Sequence, residues 1–374
     1  MATILAALRS LLPCVALAAT LTGCLGGGDE PSFGDEDTEL AEGAEPDETG
    51  HDAVVEVGEQ HSAGVCAKRA VFTFERSGDT MIAAVDGEPV AWFTDGAYTV
   101  RMAGPSRSFS AGSVTAPGVV TTAWVRTMSE PFDAASASEA ELAAWLDAAR
   151  GVNCEAGTKD VLAIAYEYVE GAKKDARYAL GADFHDYLGL SWDPVDAKSI
   201  LPDVGHEGSL DCSGYMRLVW GSRTNLDFGG ESARIPLSLK AVTGHLPRSS
   251  EDMYRFGPGK LVVPFRTQPA GAPAFQGAPT TTELARIQPG DLVFFDSACS
   301  YVASTALACG KDPSVISHVG MFVDRDTSGN YRFISSRATA NGPTVGNTGG
   351  WSVFNGGVDG SGSYPQRFRA ARRL

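Results

Sequence analysis

Residues 209–221 read SLDCSGYMRLVWG, and the fold turns on this stretch. Ser209 or Asp211 can cap a helix here, and Cys212, Met216, Val219 and Trp220 then share one stripe. Cys212 therefore stands at a helix start. A thiol is a useful nucleophile only as the thiolate, which the partial positive charge of a helix N-terminus stabilises. Downstream lie four strand-like runs: QPGDLVFFD at 288–296, SHVGMFVD at 317–324, YRFISSR at 331–337 and RFRAARRL at 367–374. A helix followed by antiparallel strands predicts an α+β fold.

A cysteine nucleophile needs a base, and His318 begins one of these runs, followed by the small, apolar Val319 and Gly320. Its ring can face outward over a neighbouring helix, which makes a Cys/His pair possible. A third polar group normally fixes the tautomer of such a ring. The turn around Thr327-Ser328-Gly329 predicts a hairpin that sets residues 335–337 opposite His318, so Ser335 or Ser336 is placed to orient it. Asp291 reads as the residue that fixes the turn before its strand. Ser213 either contacts substrate or bonds its own backbone in the first turn. His185, His206 and His245 lie in loop-like stretches and read as surface.

Working outward, Val161, Ile164, Ala165, Tyr168 and Val169 recur at helical spacing after Asp160. Before them, AVFTFE, TMIAAV, PVAWF, YTVRM and VVTTAWVRT between Arg69 and Arg126 alternate with DG, SG and GPS turn signals, predicting a small β-rich domain. A capping-box spacing, Ser138 to Glu141, opens a helix carrying Leu142, Trp145, Leu146 and Ala149, with Gly151 as its stop. No catalytic constellation falls in this segment, which reads as a positioning or wall-binding module or as a plain packing domain.

The N-terminus carries Arg9 and an apolar run from Leu11 to Leu21, a secretory signal too short and too interrupted to span a bilayer. The run ends in Leu21-Thr22-Gly23-Cys24, which resembles the lipobox of bacterial lipoproteins. That resemblance implies cleavage before Cys24 and acylation of its thiol. Residues 25–60 hold thirteen acids and no Lys or Arg, the composition of a solvated tether reaching about 30–36 Å as a random coil. Without those acids and Arg9, the formal charge of −16 falls to about −4 for residues 60–374. Nothing basic or aromatic enough for nucleic acid is present.

Seven cysteines occur. Cys14 belongs to the signal and Cys24 takes the lipid. Cys66 and Cys154 bracket the β-rich segment, Cys299 and Cys309 lie close together in a small-residue loop, and both pairings suit an oxidising exterior. Cys212 is left over as the reactive thiol. The six histidines are dispersed and no CxxC or HExxH spacing occurs, so neither a metal site nor a cofactor is expected.

Together, DCSGY at 211–215, PGDLVFF at 289–295 and HVGMFV at 318–323 resemble, in order and spacing, the NlpC family of papain-like cell-wall peptidases. The resemblance covers roughly residues 157–374. It implies a cysteine-bearing helix packed on an antiparallel sheet, with Cys212 as nucleophile and His318 as base. Tyr178-Ala179-Leu180-Gly181-Ala182 is similar to the family's Tyr-x-x-Gly-Gly stretch, which makes Tyr178 a substrate contact, with Tyr187 a rival. Ser335 stands where the family commonly has a histidine. A serine accepts the imidazole proton but adds no charge to stabilise imidazolium.

The chain thus divides into a lipoprotein signal (1–23), a lipid-anchor cysteine and acidic linker (24–60), a β-rich domain closed by a helix (61–154) and an NlpC-like peptidase domain (155–374). The resemblance implies hydrolysis of peptidoglycan stem peptides between D-glutamate and the diamino acid, by a monomer held to a bacterial membrane through its lipid. An amidase acting at the sugar–peptide junction uses the same chemistry on a neighbouring bond. A non-catalytic wall-binding lipoprotein is the alternative of a different class, motivated by Ser335. Acyl transfer is disfavoured because Cys212 precedes His318, as in the hydrolases.

Overall fold

The computed structural model describes residues 56–57, 66, 70–110, 117–223, 234–266, 278–296, 300–302, 306–308, 316–347, 351–356 and 364–374. The fold is α+β, with two six-stranded antiparallel sheets. The first comprises β1 (Glu56–Val57), β2 (Phe72–Ser77), β3 (Thr80–Val85), β4 (Glu88–Thr94), β5 (Thr99–Phe109) and β6 (Val119–Thr127). Its order is β1-β5-β4-β3-β2, with β6 also paired to β5. A bulge between Ala103 and Arg107 bends β5. Gly104 is required there, since a Cβ would lie 2.3 Å from the Trp124 ring. The indole then donates to the Pro105 carbonyl at 3.1 Å.

Helix Glu139–Asn153 covers this sheet with Leu142, Leu146 and Ala149. Ser138 and Glu141 form the expected capping box. Gly151 does not end the helix, which runs on to Asn153 and closes at Cys154. The reason is tertiary: Cys154 is bonded to Cys66, and Asn153 accepts from Arg126 at 2.7 Å, so the last turn is held from outside. The expected Cys66–Cys154 bridge is therefore present. Cys24, Cys299 and Cys309 lie outside the described residues.

The second sheet comprises β7 (Lys260–Val263), β8 (Leu292–Phe295), β11 (His318–Arg325), β12 (Tyr331–Arg337), β13 (Gly342–Thr344) and β14 (Phe368–Arg373), in the order β13-β12-β11-β8-β14-β7. A separate hairpin pairs β9 (Ser300–Val302) with β10 (Ala306–Ala308). β11 and β12 form the expected hairpin, and Asp291 fixes the turn before β8 by accepting from the Gln288 amide at 2.9 Å. Strand alternation gives the sheet two apolar faces. Leu292, Phe294, Val319, Met321, Ile334 and Ala370 pack into one core with Tyr215, Met216 and Val219. Val293, Phe295, Phe322, Phe333 and Phe368 form another core with Phe354 and Tyr364. β7 and β13 were not legible in the sequence: each is short and needs its neighbour to define it.

Two helices are shorter than their periodicity predicts. The one after Asp160 ends at Tyr166, although Tyr168 and Val169 are buried as expected. The Cys212 helix is α-helical only over Cys212–Arg217 and continues as a π-helix over Leu218–Arg223. A wider turn suits the packing there, since a Cβ on Gly221 would lie 2.3 Å from the Leu237 side chain and Trp220 O accepts from the Ile235 amide.

All described residues belong to one compact unit. Arg107 of β5 reaches Asp160 at 2.8 and 2.6 Å, with both side chains fully buried. Asp160 also caps the following helix and accepts from the Val125 amide. Elsewhere Arg373 donates to Thr94, and Thr121 donates to Asp324. Removing one partner of a buried ion pair leaves the other charge uncompensated. Arg107→Leu is expected to destabilise the protein by about 3–5 kcal/mol in chemical denaturation; a loss below ~1 kcal/mol, the size of an exposed pair, would show that Asp160 is satisfied without it.

Candidate functional site

Cys212 is the first residue of its helix and lies outside any disulfide. Asp211 is the N-cap, its Oδ1 accepting from the Gly214 amide at 2.7 Å. The cap also ties in the preceding segment: Asp211 Oδ2 accepts from the Gly181 amide at 3.2 Å, and the Asp211 amide donates to Ala182 O at 3.0 Å. Gly214 permits this approach, because a Cβ there would lie 2.3 Å from Ala182 O. The helix packs on β11 and β12. Ser336 Oγ donates to Leu210 O at 2.6 Å, which docks the end of β12 two residues before the cysteine. Since β12 runs antiparallel to β11, its end lies beside the start of β11, where His318 stands. Cys212 and His318 thus occupy the same end of the helix–sheet layer.

His318 is paired across to Phe295 and is 6% exposed. Its ring lies 6.0 Å from that of Phe295 and 5.8 Å from that of Tyr364. The Nε2 atom shares a 3.2 Å hydrogen bond with Ser335 Oγ. Of the two serines open from sequence, Ser335 meets the imidazole and Ser336 meets the Cys212 segment. Among the described residues His318 makes no hydrogen bond to Cys212. With Nε2 held by Ser335, Nδ1 is the nitrogen left to address a thiol. Burial, aided by the positive charges of Arg337 and Arg367, depresses the His318 pKa to about 3, so the ring is neutral at physiological pH. A neutral imidazole can accept a proton; it does not rest as the cation of an ion pair.

The other expected contacts are placed as follows. Tyr178 is half-buried beside the Cys212 segment, its amide donating to Asn341 O at 2.9 Å, while neighbouring Arg177 pairs with Ser209. Tyr187 spends its hydroxyl on Lys174 O at 2.9 Å, a packing role. Ser213 is 4% exposed; its hydroxyl donates to Asp211 at 3.1 Å and accepts from Arg248 at 2.6 Å. That leaves it bound into the helix start. His185, read from sequence as surface, is buried, stacked at 6.0 Å on Trp192, with Nδ1 3.1 Å from Asp186. The polar letters of the 183–192 segment concealed an apolar anchor in Phe184 and Trp192.

Sequence reading missed Arg248. Its guanidinium meets Asp211 at 3.1 and 2.6 Å, Ser213 at 2.6 Å, Gly181 O at 2.8 Å and Ala182 O at 3.1 Å. Burial opposes its charge, but Asp211 and Asp183 outweigh that and hold its pKa above the usual arginine value. Asp183 is itself held by Arg217 at 3.0 and 3.1 Å. The signal was weak, since Arg248 stands in an ordinary PRSSE helix start and Asp211 lies 37 residues away. No family model matches the chain, and the searches of curated proteins and of solved structures return no match either.

The depressed His318 pKa has a stability consequence. Between about pH 6.5 and about 3 the unfolded imidazole takes up a proton that the folded one refuses, so stability is lost as pH falls through that window. Thermal denaturation of wild type and His318→Gln across pH 3–8 is expected to show a steeper acid decline for wild type; parallel curves would mean that the ring titrates normally in the fold.

Proposed function

We propose that this chain is a cysteine endopeptidase of the cell envelope, with a papain-like catalytic domain that hydrolyses peptidoglycan stem peptides at the γ-D-glutamyl amide bond. The observation that carries the reading is the seat of Cys212: a thiol at the first position of a capped helix, beside a guanidinium, at the sheet end where His318 and Ser335 are hydrogen-bonded. In the proposed reaction the Cys212 sulfur attacks the amide carbonyl and forms a thioester. His318 Nδ1 takes the thiol proton and passes it to the leaving amine, and water then releases the acyl group. Ser335 holds the opposite nitrogen. The Gly214 amide is committed to Asp211, so the oxyanion must find its donors elsewhere in the first turn. Catalytic hydrogen bonds tighten on substrate binding, which the His318–Cys212 pair requires here. In this proposal Cys24 carries the lipid, residues 25–60 tether the enzyme to its membrane, and the β-rich segment presents it to the wall.

A second reading has its own support. His318 is neutral, enclosed by Phe295 and Tyr364, not hydrogen-bonded to Cys212, and oriented by an uncharged serine. Those features suit a wall-binding lipoprotein that keeps the fold without the reaction. Incubation of the mature protein with defined muropeptides, read by mass spectrometry, separates the two. The peptidase should release new amine termini, and Cys212→Ala should lower the rate by a factor of about 10³ or more. Intact muropeptides together with retention on purified wall would favour the binding protein.

A further inference from the structure

We infer that Arg248 is a positioning residue that sets the Cys212 helix start against the 181–182 segment and supplies the cationic neighbour of the Cys212 thiolate, an inference that rests on reading Cys212 as the nucleophile. Two segments distant in the chain converge on one guanidinium: the carbonyls of Gly181 and Ala182, and the side chains of Asp211 and Ser213 on either side of the cysteine. The arrangement uses the planar fork of arginine, since Nη1 and Nη2 each take one oxygen of Asp211 and still reach a second acceptor. A lysine offers a point charge without that fork.

The charges themselves define the role. Asp183 and Asp211 face Arg217 and Arg248, so this buried group is balanced before the thiol ionises. Arg217 is fully buried and gives its Nη1 to the carbonyls of Ser238 and Leu246. Arg248 has a 21% exposed side chain and lies within electrostatic reach of Cys212, whose thiolate favours the charged guanidinium. A thiolate is the nucleophilic form and ordinarily requires a pH near 8.5. His318 does not supply the missing cation, because its ring is neutral. Arg248 instead offsets the Asp211 carboxylate that adjoins the sulfur, so that its loss would leave an unbalanced negative charge beside Cys212, and it remains charged throughout the working pH range.

The pH dependence of iodoacetamide alkylation of Cys212 in the mature protein tests this without substrate. Wild type should titrate below ~8.5, and a midpoint at or above that value would overturn the inference. Arg248→Gln, compared at matched folding by circular dichroism, should move the midpoint up by about one unit or more, and Arg248→Lys should bring it back toward wild type. A folded Arg248→Gln protein with an unmoved midpoint would equally overturn the inference. Muropeptide cleavage is read separately: loss of the peptidase reading with the alkylation shift intact leaves the role of Arg248 standing.

Discussion

The Asp211 carboxylate is the constraint on which the candidate site depends. One oxygen caps the Cys212 helix through Gly214, the other receives the Gly181 amide, and both accept from Arg248. Asp211 is 6% exposed, and a buried carboxylate is tolerated only when its lone pairs are met. The partners that meet them, Gly214, Gly181, Arg248 and Ser213, fix where the helix begins, and the position of Cys212 follows.

Buried arginine–aspartate pairs recur elsewhere in the fold. Arg107 and Asp160 join β5 to the start of the Val161–Tyr166 helix, Arg332 and Asp326 close the β11–β12 turn, and Arg373 and Asp291 fasten β14 to the start of β8. Buried ion pairs contribute little net stability because desolvation offsets attraction. What they do impose is register, since a slipped strand would strand a charge. Apolar packing on both faces of the second sheet supplies the drive to collapse, and the pairs select which collapsed arrangement persists.

The site combines a charge-balanced helix start around the sulfur with a neutral, enclosed imidazole. The two side chains reach the same end of the layer by different routes, Cys212 through its cap and His318 through its strand. Ser335 gives the ring an orientation without a charge, and the arginines at 337 and 367 push it further toward neutrality. The guanidinium nearest the helix start, Arg248, belongs to another segment.

Much of the fold was legible because it is written in local patterns. Most strand runs of both sheets, the Ser138 capping box and the β11–β12 hairpin follow from periodicity and turn chemistry within a few residues. So was the placement of Cys212 at a helix start and of His318 at a strand start. Illegible were the π-helical turn after Arg217, the buried state of His185, the choice between Ser335 and Ser336, and Arg248 altogether. Each of these depends on contacts between residues far apart in the chain, where one guanidinium meets a carboxylate or one glycine admits a neighbour. Sequence by itself determined which segments become helices and strands, because backbone preference and apolar spacing are local. Only the tertiary structure decided which charges share a buried space, because desolvation is felt only when distant segments have closed around them.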